Sequence, residues 1–233
     1  MACTVPRPRG RSTSERWIVG LDEAGRGSLV GPLLVGAFAI RETDGERLPS
    51  LGVRDSKQLT PARRREVYER ISSVGVCRSI ALAPHTIDRY VARGGLNELE
   101  LLTFARLVRA LRPATAYADA CDPDAARFGR RLAALVGDGV EVVARHRADE
   151  EIAVVGAASI VAKVRRDRAL GQLRVRLGDG LGSGYPSDRR TREFVERCLR
   201  SGGEPPQWLR RSWAPVQRVM RARSARTLDE FGP

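Results

Sequence analysis

A chain of 233 residues with 42% hydrophobic and 30% charged side chains suffices for one large domain, or a domain with a small appendage, and buries a core without disulfide or metal staples. Lys and Arg number 41 against 28 Asp and Glu, a formal net charge of +13, which calls for an anionic partner, most often nucleic acid. The hydrophobic content excludes a disordered basic tail, and no apolar run approaches the roughly 18–20 residues of a membrane span or forms a signal-peptide core; a cytoplasmic protein with no membrane contact is expected.

In chain order, residues 1–15 are polar, basic and proline-containing and read as a disordered leader. Short apolar strands are predicted at 17–21 and 33–40, joined through a glycine-rich turn at 24–32. Thr60 as N-cap and Pro61 at the first helical position open a helix running to about residue 73. A third strand is predicted at 76–83. Leu99, Leu102, Leu107 and Leu111 follow helical spacing between residues 97 and 112, where Pro113 ends the run. A strand at 115–119, a helix at 124–136 and a strand at 140–145 come next. The longest helical candidate covers 152–177, small and apolar in its first half, basic and amphipathic in its second. A glycine-rich loop at 178–184 leads to a helix at 189–200 and, after Pro205 and Pro206, to a last basic helix at 208–223. This order predicts an α/β core with a helical C-terminal lobe.

The charge is unevenly spread. Residues 160–233 carry 17 basic and 8 acidic side chains, against 24 and 20 in residues 1–159, so the anion-facing surface falls mainly in the C-terminal third. Only Lys57 and Lys163 are lysine; a compact ammonium does what a planar guanidinium cannot, which marks both for chemistry or phosphate contact. Cys3, Cys77, Cys121 and Cys198 lie far apart with no metal-type spacing and are read as reduced thiols.

Four acids stand where strands end or a helix begins: Asp22, Glu23, Asp119 and Asp149. A single acid at a strand end is usually a solvated loop residue. Strand ends on one edge of a sheet are neighbours, however, and converging carboxylates repel unless cations neutralise them. Mg²⁺ and similar hard ions take a few carboxylates plus substrate phosphate, and a pair of them serves phosphodiester hydrolysis. Strand alternation sends Asp22 and Glu23 to opposite faces, so both line one site only if the chain leaves regular strand geometry there. The glycines of Gly25-Arg26-Gly27 allow close backbone approach to a ligand and suit reading of a 2′-hydroxyl, which distinguishes RNA from DNA. Tyr185, fixed on a loop by glycines and Pro186, suits stacking on a sugar or base. Three readings stay open on these residues: a ribonucleotide-specific nuclease, a DNA-specific nuclease of the same fold, and a catalytically silent nucleic-acid-binding module.

The segments GLDEAGRG (20–27), VRDSKQLT (53–60), LNELE (96–100), YADACD (117–122), ARHRAD (144–149), ASIVAKVRRDR (158–168) and GSGYPSD (182–188) together resemble ribonuclease HII, the type 2 ribonucleases H, and most of all the archaeal and eukaryotic branch. The resemblance runs from residue 17 to about 215. It implies an RNase H-like α/β fold, a mixed central sheet flanked by helices with a small helical C-terminal lobe. On that division residues 16–178 form the catalytic domain and 179–233 a substrate-binding lobe with a flexible tail. It further implies a monomer that cleaves RNA in RNA–DNA hybrids and incises 5′ of single ribonucleotides in duplex DNA. Asp22, Glu23, Asp119 and Asp149 would be the catalytic and metal-binding carboxylates of a two-ion Mg²⁺ or Mn²⁺ site. The backbone of Gly25, Arg26 and Gly27 would read the 2′-hydroxyl, Tyr185 would stack on the neighbouring deoxyribose, and Lys57 and Lys163 would meet phosphate or the active site. Departures from the family pattern are Ser28 in place of a usual Pro, Gly156 in place of Ser and Ala153 in place of Pro. Glu150 and Glu151 beside Asp149 compete for a metal. The tail TLDEFGP is similar to a sliding-clamp-binding peptide but lacks its glutamine and second aromatic.

Overall fold

The computed structural model describes residues 16–53, 59–201 and 203–230, the last eight as backbone only. The leader, the segment containing Lys57, and the side chains of the tail peptide lie outside the described residues. Strand β1 (Trp17–Ala24) pairs antiparallel with β2 (Leu33–Arg41) in unbroken register from Trp17 opposite Arg41 to Ala24 opposite Leu34. Helix α1 (Pro61–Ser72) begins as the sequence predicts, with the Thr60 hydroxyl accepting the Arg63 N–H at 3.3 Å and Pro61 in the first turn. Strand β3 (Val76–Leu82) pairs antiparallel with β2. Helices α2 (Pro84–Val91) and α3 (Leu96–Leu111) lead to β4 (Thr115–Asp119), which is parallel to β1. Helix α4 (Ala125–Val136) crosses over to β5 (Glu141–Arg145), parallel to β4. One short turn, α5 (Ala148–Glu151), precedes the long α6 (Ala153–Leu177), and α7 (Arg189–Arg200) and α8 (Ala214–Glu230) complete the chain. The sheet order is β3-β2-β1-β4-β5, a mixed five-stranded sheet with β1 at its centre.

Strand alternation divides the core into two layers. Val19 and Leu21 join Val35, Phe104 and Leu132 on the face covered by α3 and α4. Ile18 joins Phe38, Val67, Val155 and Ile160 on the face covered by α1 and α6. Gly20 shares the second face, and there it admits the α6 backbone directly: a Cβ at Gly20 would lie 1.9 Å from the Val154 carbonyl oxygen. Gly36 of β2 does the same one strand over, with Ala158 O 2.6 Å from the position of its Cβ. The small apolar half of α6 therefore rests on the sheet backbone itself, buried from Val154 to Ala162. A third cluster joins Leu29, Val30 and Leu170 to Leu181, Phe194, Leu199, Leu209 and Val216 of the C-terminal segment.

Two expected boundaries, the end of β1 and the start of the last helix, need correction, and two short helices, α2 and α5, add to the expected elements. Strand β1 does not end at residue 21 but stays paired through Ala24, because Asp22, Glu23 and Ala24 have β2 partners. Pro84 starts a helix that the polar sequence after it conceals; Pro84 and Ile87 are the residues it buries. Asp149 sits on its own helical turn, α5, ahead of the long helix. The last helix starts at Ala214 rather than Trp208, since residues 208–210 are occupied with a backbone exchange: Val30 bridges Leu209, and Gly31 N donates to Trp208 O at 2.8 Å. Among the described residues no helix is long and apolar enough to cross a membrane.

Replacing Gly20 by Ala forces a methyl against a carbonyl that belongs to a helix backbone. A loss of about 3 kcal/mol or more, read as a fall of roughly 6–12 °C in Tm, is expected by differential scanning calorimetry; an unchanged Tm contradicts this packing.

Candidate active site

The end of β1 presents its acids to two faces, as alternation dictates. Asp22 follows Ile18 and Gly20 onto the α6 side, is 6% exposed, and meets Asp119 from the last position of β4 and Asp149 from α5. One carboxylate oxygen from each of the three lies within 4.8 Å of the others. Burial raises the Asp22 pKa well above the usual carboxylate range, and the neighbouring Glu23 and Asp119 raise it further, while the Ser159 hydroxyl and Lys163 draw it down. Ser159 and Lys163 are one helical turn apart on α6, so the helix that packs on Gly20 also carries two groups to Asp22. Of the acids around Asp149, Glu150 is held by Arg147 at 2.5 Å and Glu151 by Arg145 at 3.6 Å; Asp149 alone of the three joins the cluster.

Glu23 is not part of that trio. Its carboxyl is pushed up to about 7 by burial, by Glu100 and by Asp119, against the lowering effect of Arg26. Glu100, on α3, has a fully buried side chain, is also pushed up to about 7 by burial, and accepts Arg26 Nη1 at 2.5 Å. The same Arg26 guanidinium donates to Cys121 O at 3.0 Å and to Asn97 Oδ1 at 2.5 Å. The half-buried Cys121 thiol is pushed far up by desolvation and the adjacent Glu100, so it stays protonated. The Arg26 side chain is therefore tied into a structural socket with 33% of it exposed, and Arg26 is also among the residues that line the cavity beside the turn.

That turn is built for close approach. Gly25 has φ +87°, and Ser28 N donates to Gly25 O at 3.2 Å. A Cβ at Gly27 would meet nothing within 4 Å; the residue opens onto a cavity of about 400 Å³ lined also by Glu23, Gly25, Arg64, Lys163 and Tyr185. From beneath, Arg210 fixes the turn: fully buried, it donates to Gly31 O at 3.1 Å and to Arg26 O at 2.7 Å. Burial and the nearby Arg166 lower Arg210 to about 9, which leaves it charged at neutral pH. Tyr185 faces the cavity from a loop held by Asp188, whose carboxylate accepts Ser183 N at 2.6 Å while capping α7 through Arg190 N at 3.0 Å. Arg166 lies 4.3 Å from the Tyr185 ring centre.

The structure thus brings Asp22, Asp119, Asp149 and Lys163 to one point and Gly25, Gly27 and Tyr185 to the adjoining cavity. Lys57 lies outside the described residues. Sequence reading missed Glu100, Asn97, Arg166 and Arg210. All but Arg210 fall in segments noted for their resemblance, yet a buried charge carries no local signal when its partner is 74 residues away, as Glu100 is from Arg26.

Three carboxylates within 4.8 Å, on residues of which Asp22 and Asp149 are buried, are costly without a counter-ion, and an all-oxygen donor set suits a hard divalent cation. The residues fit such an ion. A carboxylate cluster at the parallel edge of a mixed sheet, beside a cationic cavity with a displayed glycine turn, defines a metal-dependent nuclease of the RNase H-like fold. The family model for ribonuclease HII matches residues 19–216. A ribonuclease HII of Cenarchaeum symbiosum is 43% identical over 203 residues, covering 87% of this chain and 97% of that protein. The ribonuclease H2 structure from Pyrococcus horikoshii superposes with a TM-score of 0.83 at 36% identity, covering 89% of this chain and 99% of that one. The ribonuclease HII in a PCNA complex from Archaeoglobus fulgidus superposes at 0.78 and 39% identity, over 84% and 94%. This chain belongs to the ribonuclease HII family, metal-dependent endoribonucleases that cut the RNA of RNA–DNA hybrids.

Glu23 and Glu100 have folded pKa values near 7, raised from 4.5, so between these limits the native state binds protons that the unfolded chain has released. Their contribution to stability is present below pH 4.5 and lost as pH rises toward 7. In chelator, wild-type Tm is expected to fall relative to a Glu23→Gln/Glu100→Gln variant between about pH 5 and about pH 8. Parallel pH profiles for the two proteins contradict the assignment.

Proposed function

We propose that this chain, besides cutting the RNA strand of hybrids, incises 5′ of single ribonucleotides embedded in duplex DNA, leaving 3′-hydroxyl and 5′-phosphate ends. The observation that carries this reading is the adjacency of the carboxylate trio to a cavity edged by the open Gly27 backbone and by Tyr185. Asp22, Asp119 and Asp149 would hold one Mg²⁺ or Mn²⁺ ion, and Glu23, outside that trio but lining the adjoining cavity, would hold a second, with Asp22 on the central strand as the shared ligand. When bound, such ions supply an activated water and neutralise charge at the leaving oxygen.

The chain's own residues select and orient. The Gly25–Gly27 backbone presents N–H and C=O groups to a 2′-hydroxyl, which only the ribonucleotide carries. Tyr185 packs against the deoxyribose of the next nucleotide, held flat by Arg166. Lys163 lies beside Asp22 and offsets carboxylate charge as the phosphate approaches. Lys57 is assigned to a phosphate contact on its position in the VRDSKQLT segment. The basic C-terminal third, as a lobe from residue 179 onward joined to a catalytic domain of 16–178, holds duplex phosphates without regard to sequence. A monomer acting in the cytoplasm in the repair of ribonucleotide-containing DNA fits these features. A clamp contact through the tail TLDEFGP is supported by the PCNA complex of the Archaeoglobus fulgidus relative.

The test is a labelled duplex with one ribonucleotide beside an all-DNA duplex, each with Mg²⁺, Mn²⁺ or chelator. Cutting is expected only with metal, only in the ribonucleotide strand and only on its 5′ side. Asp22→Asn or Asp119→Asn should reduce cleavage about 10³-fold or more, corresponding to the several kcal/mol that such ions contribute, with hybrid binding retained. Wild-type turnover by either variant removes the carboxylate assignment. Cutting of both duplexes replaces this reading with a DNA nuclease, and binding without cutting replaces it with a silent binder.

A further inference from the structure

The glycine turn of residues 25–31 and the loop of residues 182–188 come from opposite ends of the chain and meet at one hydroxyl. Ser28 is fully buried. Its Oγ lies 2.8 Å from Gly184 O and 2.8 Å from Val30 O, accepts Arg166 Nη2 at 3.2 Å, and lies 3.4 Å from Val30 N. A hydroxyl offers one proton and two lone pairs, so the node is saturated: one carbonyl takes the proton and the two N–H groups fill the oxygen. Beside it, Leu29 N donates to Gly184 O at 2.7 Å. Arg166 completes the junction, donating to Ser183 O at 3.0 Å while its guanidinium covers Tyr185.

There is no slack around this node. A Cβ at Gly25 would lie 2.6 Å from Arg166 Nε, and a Cβ at Gly184 would lie 3.0 Å from Ser28 Oγ. A proline at this position would have neither a hydroxyl nor the N–H that Ser28 donates to Gly25 O. The link between the two loops through position 28 therefore depends on the serine itself.

We propose that Ser28 is a positioning residue whose hydroxyl sets the spacing between the glycine-turn backbone and the Tyr185 ring, and so sets preference for a ribonucleotide followed by a deoxyribonucleotide. The inference rests on the reading of Gly25–Gly27 and Tyr185 given above. An isolated ribonucleotide presents both features at once, a 2′-hydroxyl and a deoxyribose beside it. A continuous RNA strand presents ribose at both positions, so the spacing of the two loops counts for less.

The experiment measures kcat/KM on a duplex with one ribonucleotide and on a continuous RNA–DNA hybrid, for wild type, Ser28→Ala, Tyr185→Ala and the double variant, with Tm recorded for each. Ser28→Ala is expected to lower the ratio of the two rates about tenfold, the loss of one buried hydrogen bond, and the double variant no further than Tyr185→Ala alone. A purely structural loss lowers both rates together and leaves the ratio at its wild-type value, which overturns the proposal. So does an additive double variant. An unchanged ratio in Tyr185→Ala overturns the reading of Tyr185 and the coupling with it, whereas a Tyr185 effect without a Ser28 effect overturns the coupling alone.

Discussion

Everything at this site depends on how closely α6 lies on the central strands. Gly20 and Gly36 remove two side chains where the helix crosses β1 and β2, and backbone fills the space. Only at that separation do Ser159 and Lys163, one turn apart on the helix, reach the carboxylate two residues beyond Gly20. Interiors pack as densely as organic crystals, so a helix held one methyl farther away would be a different catalytic surface, not a looser version of this one.

The adjacent acids Asp22 and Glu23 show how strand geometry assigns work. Regular pairing through Ala24 keeps their side chains on opposite faces. Asp22 joins two aspartates from neighbouring strand ends, and Glu23 joins a buried network with Glu100 and Arg26. The two groups still meet at the end of the sheet: Glu23 acts directly on Asp22, and Asp119 raises the pKa of both. Protons and cations are alternative ways of relieving the same repulsion, so the site is electrostatically unsatisfied by design of its own strand.

Much of this was legible in the sequence, for physical reasons that can be named. The strands carry their period, the α1 boundary carries Thr60 and Pro61, and the acids fall where strands run out. The predicted first strand stopped short at Leu21 because residues 22–24 are held in it by a partner strand, which no local pattern reveals. The start of the last helix was misplaced for a similar reason: Trp208–Arg210 has an acceptable helical composition, but its backbone is claimed by residues 29–31. Glu100 and Arg210 were silent because a buried charge is meaningful only with its partner, and those partners lie 74 and 184 residues away.

The distance between Arg26 and Arg210 has a consequence for synthesis. Chains emerge from the ribosome N-terminus first, and contacts of large sequence separation form only after their loop-closure cost is met. The hairpin of β1 and β2 is available early, and the carboxylate trio is complete once Asp149 has been made. The carbonyls of Arg26 and Gly31 wait for a guanidinium in the last tenth of the chain. On the nascent polypeptide, then, all three aspartates of the cluster have been made before the guanidinium that fixes the turn beside them.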